Sequence, residues 1–410
     1  HFHPLLVLLG PVYKLFPSGL ALLVLQDLLF ALSSVPITLV AVKRLGKSLG
    51  AIVGIGYAMS WGLWSAVESQ FHEIAFAVPL ISYSLCSWIE SEGRSRSAIV
   101  SMAALVFVKE DLGLTVAAFG LVVIWIEWGR TTREGDFDLY VRSLTSLMAT
   151  LRSRTARIGA GLAAWGILWT LLAITVILPA IHPGGTWEYT DRLSQTDTMA
   201  TGPFTRLIFP TVKLQTLGLL ALAAGVIGAV SPYMWIMVPT LAWRFLGNVD
   251  FYWGWHWHYS AILVPMAVVA LVDSAHRRRR IRGAAALAVA VSLCSNLAVA
   301  WTSTIDQFFD RQPHALTARQ RTAAEGAVAI AGSGHRVVAS LRLLAYLVPD
   351  NRVFWEGTAK GADVDVVAVD PASAASSSGE AADKWAEERF GGRWRIVYLK
   401  EGYQVAVRIE

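Results

Sequence analysis

Three short clusters of ionisable residues lie between apolar segments of this chain. They are His72-Glu73, Lys109-Glu110-Asp111 and His256-Trp257-His258. Carboxylates and imidazoles can exchange protons near neutral pH, and an ammonium group can bind phosphate. If the apolar segments cross a membrane, their alternating direction brings all three clusters to the same side. Ionisable groups near one face of a bilayer are costly, and they usually have a function.

The composition is that of a membrane protein. Of the 410 residues, 55% are hydrophobic and 16% are charged, and the mean hydropathy is +0.49. About ten apolar segments that we interpret as membrane helices lie between residues 18 and 301. They are 18–42, 48–66, 74–89, 97–108, 112–128, 158–181, 213–230, 232–246, 259–272 and 283–301. We therefore predict a polytopic α-helical membrane protein and no nucleic-acid partner, since the excess of basic residues lies in loops.

The distribution of Lys and Arg predicts the orientation. Basic residues concentrate in the loops at one end of the segments, among them Lys43, Arg44 and the run Arg277–Arg280. The positive-inside rule makes that end cytoplasmic and places the three ionisable clusters outside, so we expect a protein of the plasma membrane. Cys86 and Cys294 lie within apolar segments and indicate neither a disulfide nor a metal site.

The chain changes character near residue 302. Apolar runs become shorter and Gly, Asp, Arg and Ser become more frequent. The pattern predicts a helix over 317–331, strands over 337–339 and 364–369, a helix over 383–390 and a hairpin from 395–399 and 404–409. We predict a transmembrane helical domain over 1–301 and a small extracytoplasmic α/β domain over 302–410.

The turn Lys109-Glu110-Asp111 lies between two short apolar segments. With about 12 and about 17 residues they extend about 18 and 25 Å, less than the hydrocarbon core of about 30 Å. We expect the turn to lie below the outer surface, in protein or in a water-filled cavity. In one interpretation Lys109 binds a substrate phosphate while Glu110 or Asp111 acts as a base or orients a metal. In the other, the charges neutralise one another in a structural turn.

The two other clusters also allow two interpretations each. His72 and Glu73 suit acid/base chemistry, or they belong to an ordinary polar loop. His256, His258 and Tyr259 lie in an aromatic segment that can bind phosphate and stack on a sugar, or that forms an interfacial belt. His256 and His258 could share a metal only in an extended conformation, so a divalent cation and its ligands stay open.

Basic and imidazole groups elsewhere on the predicted outer side are weaker candidates. Arg206, Arg192 and Lys213 depart from the positive-inside pattern and could bind an anion, although for Lys213 the pattern favours contact with outer lipid headgroups. His1 and His3 precede the first apolar run, where histidines are usually solvated.

Four blocks of sequence together carry a family resemblance. They are His1-Phe2 with Pro4, Phe71 to Pro79, Lys109 to Gly113, and His258-Tyr259. With these blocks the whole chain resembles the prokaryotic multi-pass family catalogued as domain of unknown function 2079. That family resembles the GT-C superfamily of membrane glycosyltransferases.

The resemblance implies a GT-C-like fold, a polyprenyl-phosphate sugar donor and chemistry on the outer face of the membrane. In the superfamily, an Asp or Glu of the first outer loop often serves as the base. The family's segment before His1, which carries a membrane helix and an early acidic residue, is absent here, so we expect part of that machinery to lie outside this chain.

From these observations we expect a transferase that moves a sugar from a polyprenyl-phosphate carrier to an extracytoplasmic acceptor. Glu73, Glu110 or Asp111 would be the base, and Lys109 with His72 or His258 would hold the phosphate. Membrane lipids and the lipid-linked sugar would be its partners. The alternatives are a transporter or flippase that uses the same charges, and a non-catalytic scaffold that displays the outer domain.

Overall fold

The computed structural model describes residues 1–134, 144–181, 187, 203–278, 282–303, 305–309, 316–359, 361–373 and 381–409. These residues form two compact units. One is helical and contains His1–Leu8 and Leu23–Phe309, and the other contains Leu9–Leu22 and Asp310–Glu410. The predicted domain boundary at residue 302 stays a prediction.

Six helical segments in the described residues are long and apolar enough to cross a membrane. They are Gly19–Leu45, Lys47–Glu68, Leu112–Thr132, Arg154–Ile181, His258–Arg277 and Gly283–Ser303. Three shorter apolar helices are Pro4–Leu15, Arg96–Phe107 and Val212–Ala223. Further helices of the helical unit are Ala77–Glu90, Leu144–Leu151, Pro203–Ile208 and Val238–Leu246. The prediction of a helical membrane protein is confirmed, whereas the count of about ten membrane helices is not.

Several apolar segments are shorter than expected because the helix is interrupted. The segment 213–230 ends as a helix at Ala223, since Gly225 and Val226 both have positive φ, and a 3₁₀ turn follows at Ile227–Val230. The segment 232–246 begins with the 3₁₀ helix Pro232–Met237, and the α-helix starts only at Val238. Hydropathy detects the apolar stretch but not the interruption, because a turn buried in protein stays apolar.

The helices Leu112–Glu134 and Arg154–Leu172 pack closely through glycines. A Cβ atom on Gly113 would collide with the backbone of Gly166, and one on Gly120 would collide with the carbonyl of Gly159. Small residues allow membrane helices to approach at backbone distance. This close packing fixes the start of Leu112–Glu134, and therefore the turn at Lys109 to Asp111 that precedes it.

The second unit contains a five-stranded sheet. Its strands are β1 Arg336–Ala339, β2 Arg352–Trp355, β3 Val366–Val369, β4 Trp394–Lys400 and β5 Tyr403–Arg408, in the order β2-β1-β3-β5-β4. β1 is parallel to β2 and β3, while β5 is antiparallel to β3 and β4. The helices Ala318–Ala331 and Ala382–Phe390 cover opposite faces, because alternate residues of β1 belong to separate hydrophobic clusters. A short helix, Leu344–Leu347, precedes β2.

Candidate functional site

The helical unit contains a cavity of about 480 Å³ that joins the predicted clusters. Its polar lining comes from hairpins far apart in the sequence, and its walls are mostly apolar. The lining includes His1, His72, Glu73, Lys109, Glu110, Asp111, Leu114, Thr170, Ile174, Trp187, Trp243, Phe251, Tyr252, His258 and Tyr259. Most of the predicted site residues therefore meet in one place, while their roles stay predictions.

The turn Lys109-Glu110-Asp111 is hydrogen-bonded to the neighbouring helix Arg154–Leu172. The 3₁₀ helix Ala104–Phe107 ends just before it, and the helix Leu112–Glu134 begins just after it. The Thr170 hydroxyl donates a hydrogen bond of 3.0 Å to the Glu110 carbonyl. Each of the three side chains of the turn then meets a different environment.

Lys109 forms an ion pair with Glu73. The ammonium nitrogen lies 3.2 Å from Glu73 Oε1, and the two side chains are only 12% and 13% exposed. Burial raises the pKa of Glu73, but the Lys109 ammonium, the nearby imidazoles and a backbone hydrogen bond together outweigh this effect, and the pKa is lowered to about 2. Glu73 is therefore a permanent anion at neutral pH, committed to balancing Lys109 and poor as a base.

Glu110 accepts hydrogen bonds from the residues His1 and Phe2. It is 3% exposed, and its Oε1 accepts a hydrogen bond of 2.6 Å from His1 Nδ1. Its Oε2 accepts one of 3.0 Å from the backbone N–H of Phe2. His3 Nδ1 donates to the Val108 carbonyl at 3.0 Å, and His3 is only partly exposed, whereas His1 is exposed, as predicted. Both histidines also hold the turn.

Asp111 differs from the other two carboxylates of the cavity. Its Oδ1 is buried and has no hydrogen-bond partner among the residues that the structure describes. Burial raises the pKa of Asp111 to about 6, and the nearby Glu110 and Glu73 carboxylates act in the same direction against Lys109. A carboxylate with a free oxygen and a pKa near neutrality has the properties of a general base.

The two imidazoles of the cavity are stacked. The rings of His72 and His258 are 3.5 Å apart between centroids, with an angle of 23° between their planes. Gln26 Oε1 accepts a hydrogen bond of 2.9 Å from the His72 backbone N–H, which fixes the loop. Burial lowers the pKa of His72. Two positively charged imidazoles stacked at this distance in a buried site repel each other strongly, so at most one of the two rings is positively charged.

His258 Nδ1 is a second polar atom without a partner at the cavity. It is buried, and the described part of the chain provides no hydrogen bond to it. The other predicted contributor from this segment, Tyr259, also lines the cavity and lies 4.1 Å from His258 between ring centroids. An imidazole nitrogen and a phenol thus meet the space next to Asp111.

Arg244 positions the aromatic segment and was not predicted. It is fully buried and donates hydrogen bonds to the carbonyls of Tyr252 at 2.8 Å and Gly254 at 2.7 Å. It also reaches the Tyr259 carbonyl and the Ser260 hydroxyl, both at 3.3 Å. The available signal was an arginine in the last turn of an apolar helix at the end predicted to be outside, against the positive-inside pattern.

One predicted binding residue, His256, does not line this cavity. His256 is exposed and stacks on Trp255, with 3.7 Å between ring centroids. Arg206 is on the short helix Pro203–Ile208, but its side chain lies outside the described residues, as does Arg192. Lys213 is 2% exposed and donates to the Phe245 carbonyl at 2.8 Å, so its predicted reach to lipid headgroups is wrong.

The described residues of the cavity do not form a metal-binding group. Within the described residues, no group of three or more His, Cys, Asp or Glu side chains is placed to hold one. His258 faces His72 in a ring stack, and Glu73 and Glu110 are occupied by Lys109 and His1. We therefore assign no role to a divalent cation in this cavity.

The spans and this cavity define an integral membrane protein with a charged site between its helices. The chain belongs to the DUF2079 family of predicted membrane proteins, whose family model matches residues 1–405. No curated protein matches the chain. The resemblance expected from the four sequence blocks is thus confirmed for the family, while the similarity to GT-C enzymes stays a prediction.

Proposed function

We propose that the protein transfers a sugar from a polyprenyl-phosphate carrier to an acceptor hydroxyl. The observation that carries the proposal is the composition of the cavity. One space holds the Lys109 cation and the Asp111 carboxylate with an unpartnered oxygen, between apolar walls. A lipid-linked sugar phosphate has three complementary parts. Its phosphate suits the cation, its reacting sugar suits the carboxylate, and its long apolar tail suits the walls.

The chemistry assigns one role to each group. Asp111 takes the proton of the acceptor hydroxyl, whose oxygen forms the new bond to the sugar C1. The bond between C1 and the phosphate oxygen breaks, and its electron pair stays on the polyprenyl phosphate. Lys109 stabilises this leaving group as its charge grows, with His258 as a hydrogen-bond donor. The products are the glycosylated acceptor and polyprenyl phosphate.

The choice of Asp111 among the three predicted bases follows from their surroundings. Glu73 has a pKa of about 2 beside Lys109, and Glu110 already accepts two hydrogen bonds from His1 and Phe2. Either would have to break an existing interaction before it could accept a proton. Asp111, with a pKa of about 6, needs no such step.

The apolar walls suit the carrier lipid. Leu114, Ile174, Trp243 and Phe251 line the same space as the charged groups. Ile174 lies in the π-helical turn Ala173–Ile177 within the span Arg154–Ile181, an irregularity that is frequent at functional sites. A prenyl chain can follow these side chains while its phosphate meets Lys109.

The proposal includes a location. The basic residues Arg130 and Arg277 lie near the ends of the spans Leu112–Thr132 and His258–Arg277, whose other ends adjoin the cavity at Asp111 and His258, so the positive-inside rule directs the cavity outward in a prokaryotic plasma membrane. In this orientation the sheet-containing unit would be extracytoplasmic. Protease access to that unit in right-side-out vesicles checks this orientation.

The test is turnover by the full chain in lipid vesicles that contain a panel of polyprenyl-phosphate sugars. The readout is release of polyprenyl phosphate by mass spectrometry. We expect Asp111→Asn to lower turnover by about 100-fold or more. Asp27→Asn is the control, since Asp27 is an exposed carboxylate of the same unit that does not line the cavity.

Three outcomes would contradict the proposal. Unchanged turnover in Asp111→Asn would show that Asp111 is not the base. Absence of both turnover and saturable binding across the panel would show that polyprenyl-phosphate sugars are not the substrates. Flux of a solute that depends on Lys109 and Asp111, without release of polyprenyl phosphate, would favour a transporter.

A further inference from the structure

A second cavity, of about 250 Å³, lies at the other end of the same helices. The span Leu112–Thr132 starts beside Asp111 and carries Glu127 and Arg130 toward this second cavity. The span His258–Arg277 starts at the stacked imidazole and ends here with Asp273, His276 and Arg277. Neither the predicted chemistry nor the proposed function uses this cavity.

Three arginines line the second cavity: Arg44, Arg130 and Arg277. Arg44 and Arg277 share Asp273, at 3.8 Å from Arg44 Nη1 and 2.9 Å from Arg277 Nε. Arg130 lies only loosely against Glu127, at 4.0 Å. Each guanidinium has five N–H donors and each carboxylate has two oxygens. Some N–H groups of the arginines therefore stay available after the ion pairs have formed.

The other ionisable groups of the lining are already engaged. Glu92 pairs at 3.7 Å with Arg94, which does not line the cavity. The His276 ring forms a hydrogen bond of 3.1 Å between Nδ1 and the Arg44 carbonyl. The Arg44 Nη2 donates to the Ile89 carbonyl at 2.8 Å, which holds the guanidinium in place. Arg44 Nε also lies 3.4 Å from Glu90 Oε1. The carboxylates thus hold the arginines in position, and the remaining guanidinium N–H groups are the donors that the cavity offers.

Tyr233 is the independent sign that the cavity is a binding site. The residue is 5% exposed and lines the cavity, and no described residue forms a hydrogen bond with its hydroxyl. Arg44, Arg130, Arg277 and Asp273 are all near enough to act on that hydroxyl electrostatically. A phenol hydroxyl that opens into a cavity beside several guanidinium groups can donate to an oxyanion with several acceptor oxygens.

We propose that this cavity binds the phosphate of a phospholipid headgroup. The source of the phosphate follows from the position of the lining residues. Arg44 and Arg277 lie in the last turn of the spans Gly19–Leu45 and His258–Arg277, and Arg130 lies in that of Leu112–Thr132. The ends of membrane-spanning helices lie at the level of the headgroups, so lipid phosphates are the anions concentrated there. This inference does not depend on the transferase proposal.

The test is a titration of the purified full chain in detergent with phosphatidylglycerol, followed by native mass spectrometry. Tyr233→Phe removes only the hydroxyl, and Arg130→Gln removes only a cation. We expect each to raise the dissociation constant of the most tightly bound lipid by about fivefold. Arg96→Gln is the matched control, because Arg96 is exposed at the same end and does not line the cavity. Its dissociation constant should equal that of the unchanged protein.

Two results would overturn the inference. An equal loss in Arg96→Gln and Arg130→Gln, with none in Tyr233→Phe, would mean that the lipid binds diffuse surface charge. Inorganic phosphate that displaces the bound lipid at low millimolar concentration would assign the cavity to a soluble phosphate compound. If Tyr233→Phe does not fold, Arg130→Gln and its control decide the matter by themselves.

Discussion

The buried ion pair between Lys109 and Glu73 gives the sharpest prediction for stability. Replacing Lys109 by Met removes the cation and leaves the carboxylate in a site where the side chain is 13% exposed. The pKa of Glu73 is about 2 in the folded protein and 4.5 without its surroundings. This difference corresponds to about 3 kcal/mol of stability at pH 7. Lys109→Met should remove most of it.

The pH dependence of that loss has a definite sign. Because folding lowers the pKa of Glu73, its contribution is complete above about pH 4.5 and disappears as the pH falls through about 2. The difference in free energy of unfolding between the unchanged protein and Lys109→Met should therefore be about 3 kcal/mol at pH 7. It should be smaller by about 1–2 kcal/mol at pH 3.5.

The assay is unfolding of the full chain in mixed micelles with increasing dodecyl sulfate, followed by tryptophan fluorescence at several pH values. Lys43→Met is the control, since Lys43 also pairs with a carboxylate, that of Glu90, but is 71% exposed. An exposed pair contributes about 0–1 kcal/mol. A loss in Lys109→Met no larger than that in Lys43→Met, or one independent of pH, would refute the reasoning.

Three further predictions concern the elements that hold the cavity and its acidity. Arg244→Met should destabilise the protein by about 3–5 kcal/mol, because it leaves buried carbonyl groups without donors, and micelle unfolding measures this. Gly166→Leu should disrupt the close contact between two spans and lower the unfolding midpoint, whereas Gly161→Leu, where no atom lies within 4 Å of an added Cβ, should not. Transfer of sugar should rise with pH through about 6, since the base must lose its proton and burial raises the pKa of Asp111 to that value. A rate that is flat between pH 5 and 7 would contradict this assignment, as would an unchanged midpoint in Gly166→Leu.

Much of the secondary structure could be predicted from local patterns. The helix expected over 317–331 is observed at Ala318–Ala331, with Thr317 and Gln320 as its capping box. The expected hairpin corresponds to β4 and β5. The strand β2 was missed because its residues Arg352–Trp355 are only partly buried at the edge of the sheet, so they lack the alternation of apolar residues that a strand pattern needs.

The meeting of the ionisable clusters was also predictable, because helices that cross a membrane alternate in direction. The sequence placed His72, Asp111 and His258 on the same side, and the structure brings all three to one cavity. The sequence could not separate Asp111 from Glu110, since adjacent carboxylates in a turn have the same chemistry until their partners are known. Only the contact of His1 with Glu110 makes that distinction.

Composition and periodicity thus determined that the chain is a membrane protein, where most of its helices lie and which end of them carries the candidate chemistry. These properties follow from the transfer of apolar side chains out of water. The free energy of that transfer depends largely on the composition of each segment alone. The tertiary structure alone decided where apolar segments break, how Arg244 holds the aromatic segment and which carboxylate keeps an unpartnered oxygen. Those properties depend on burial and on partners from distant parts of the chain, and no local pattern records them.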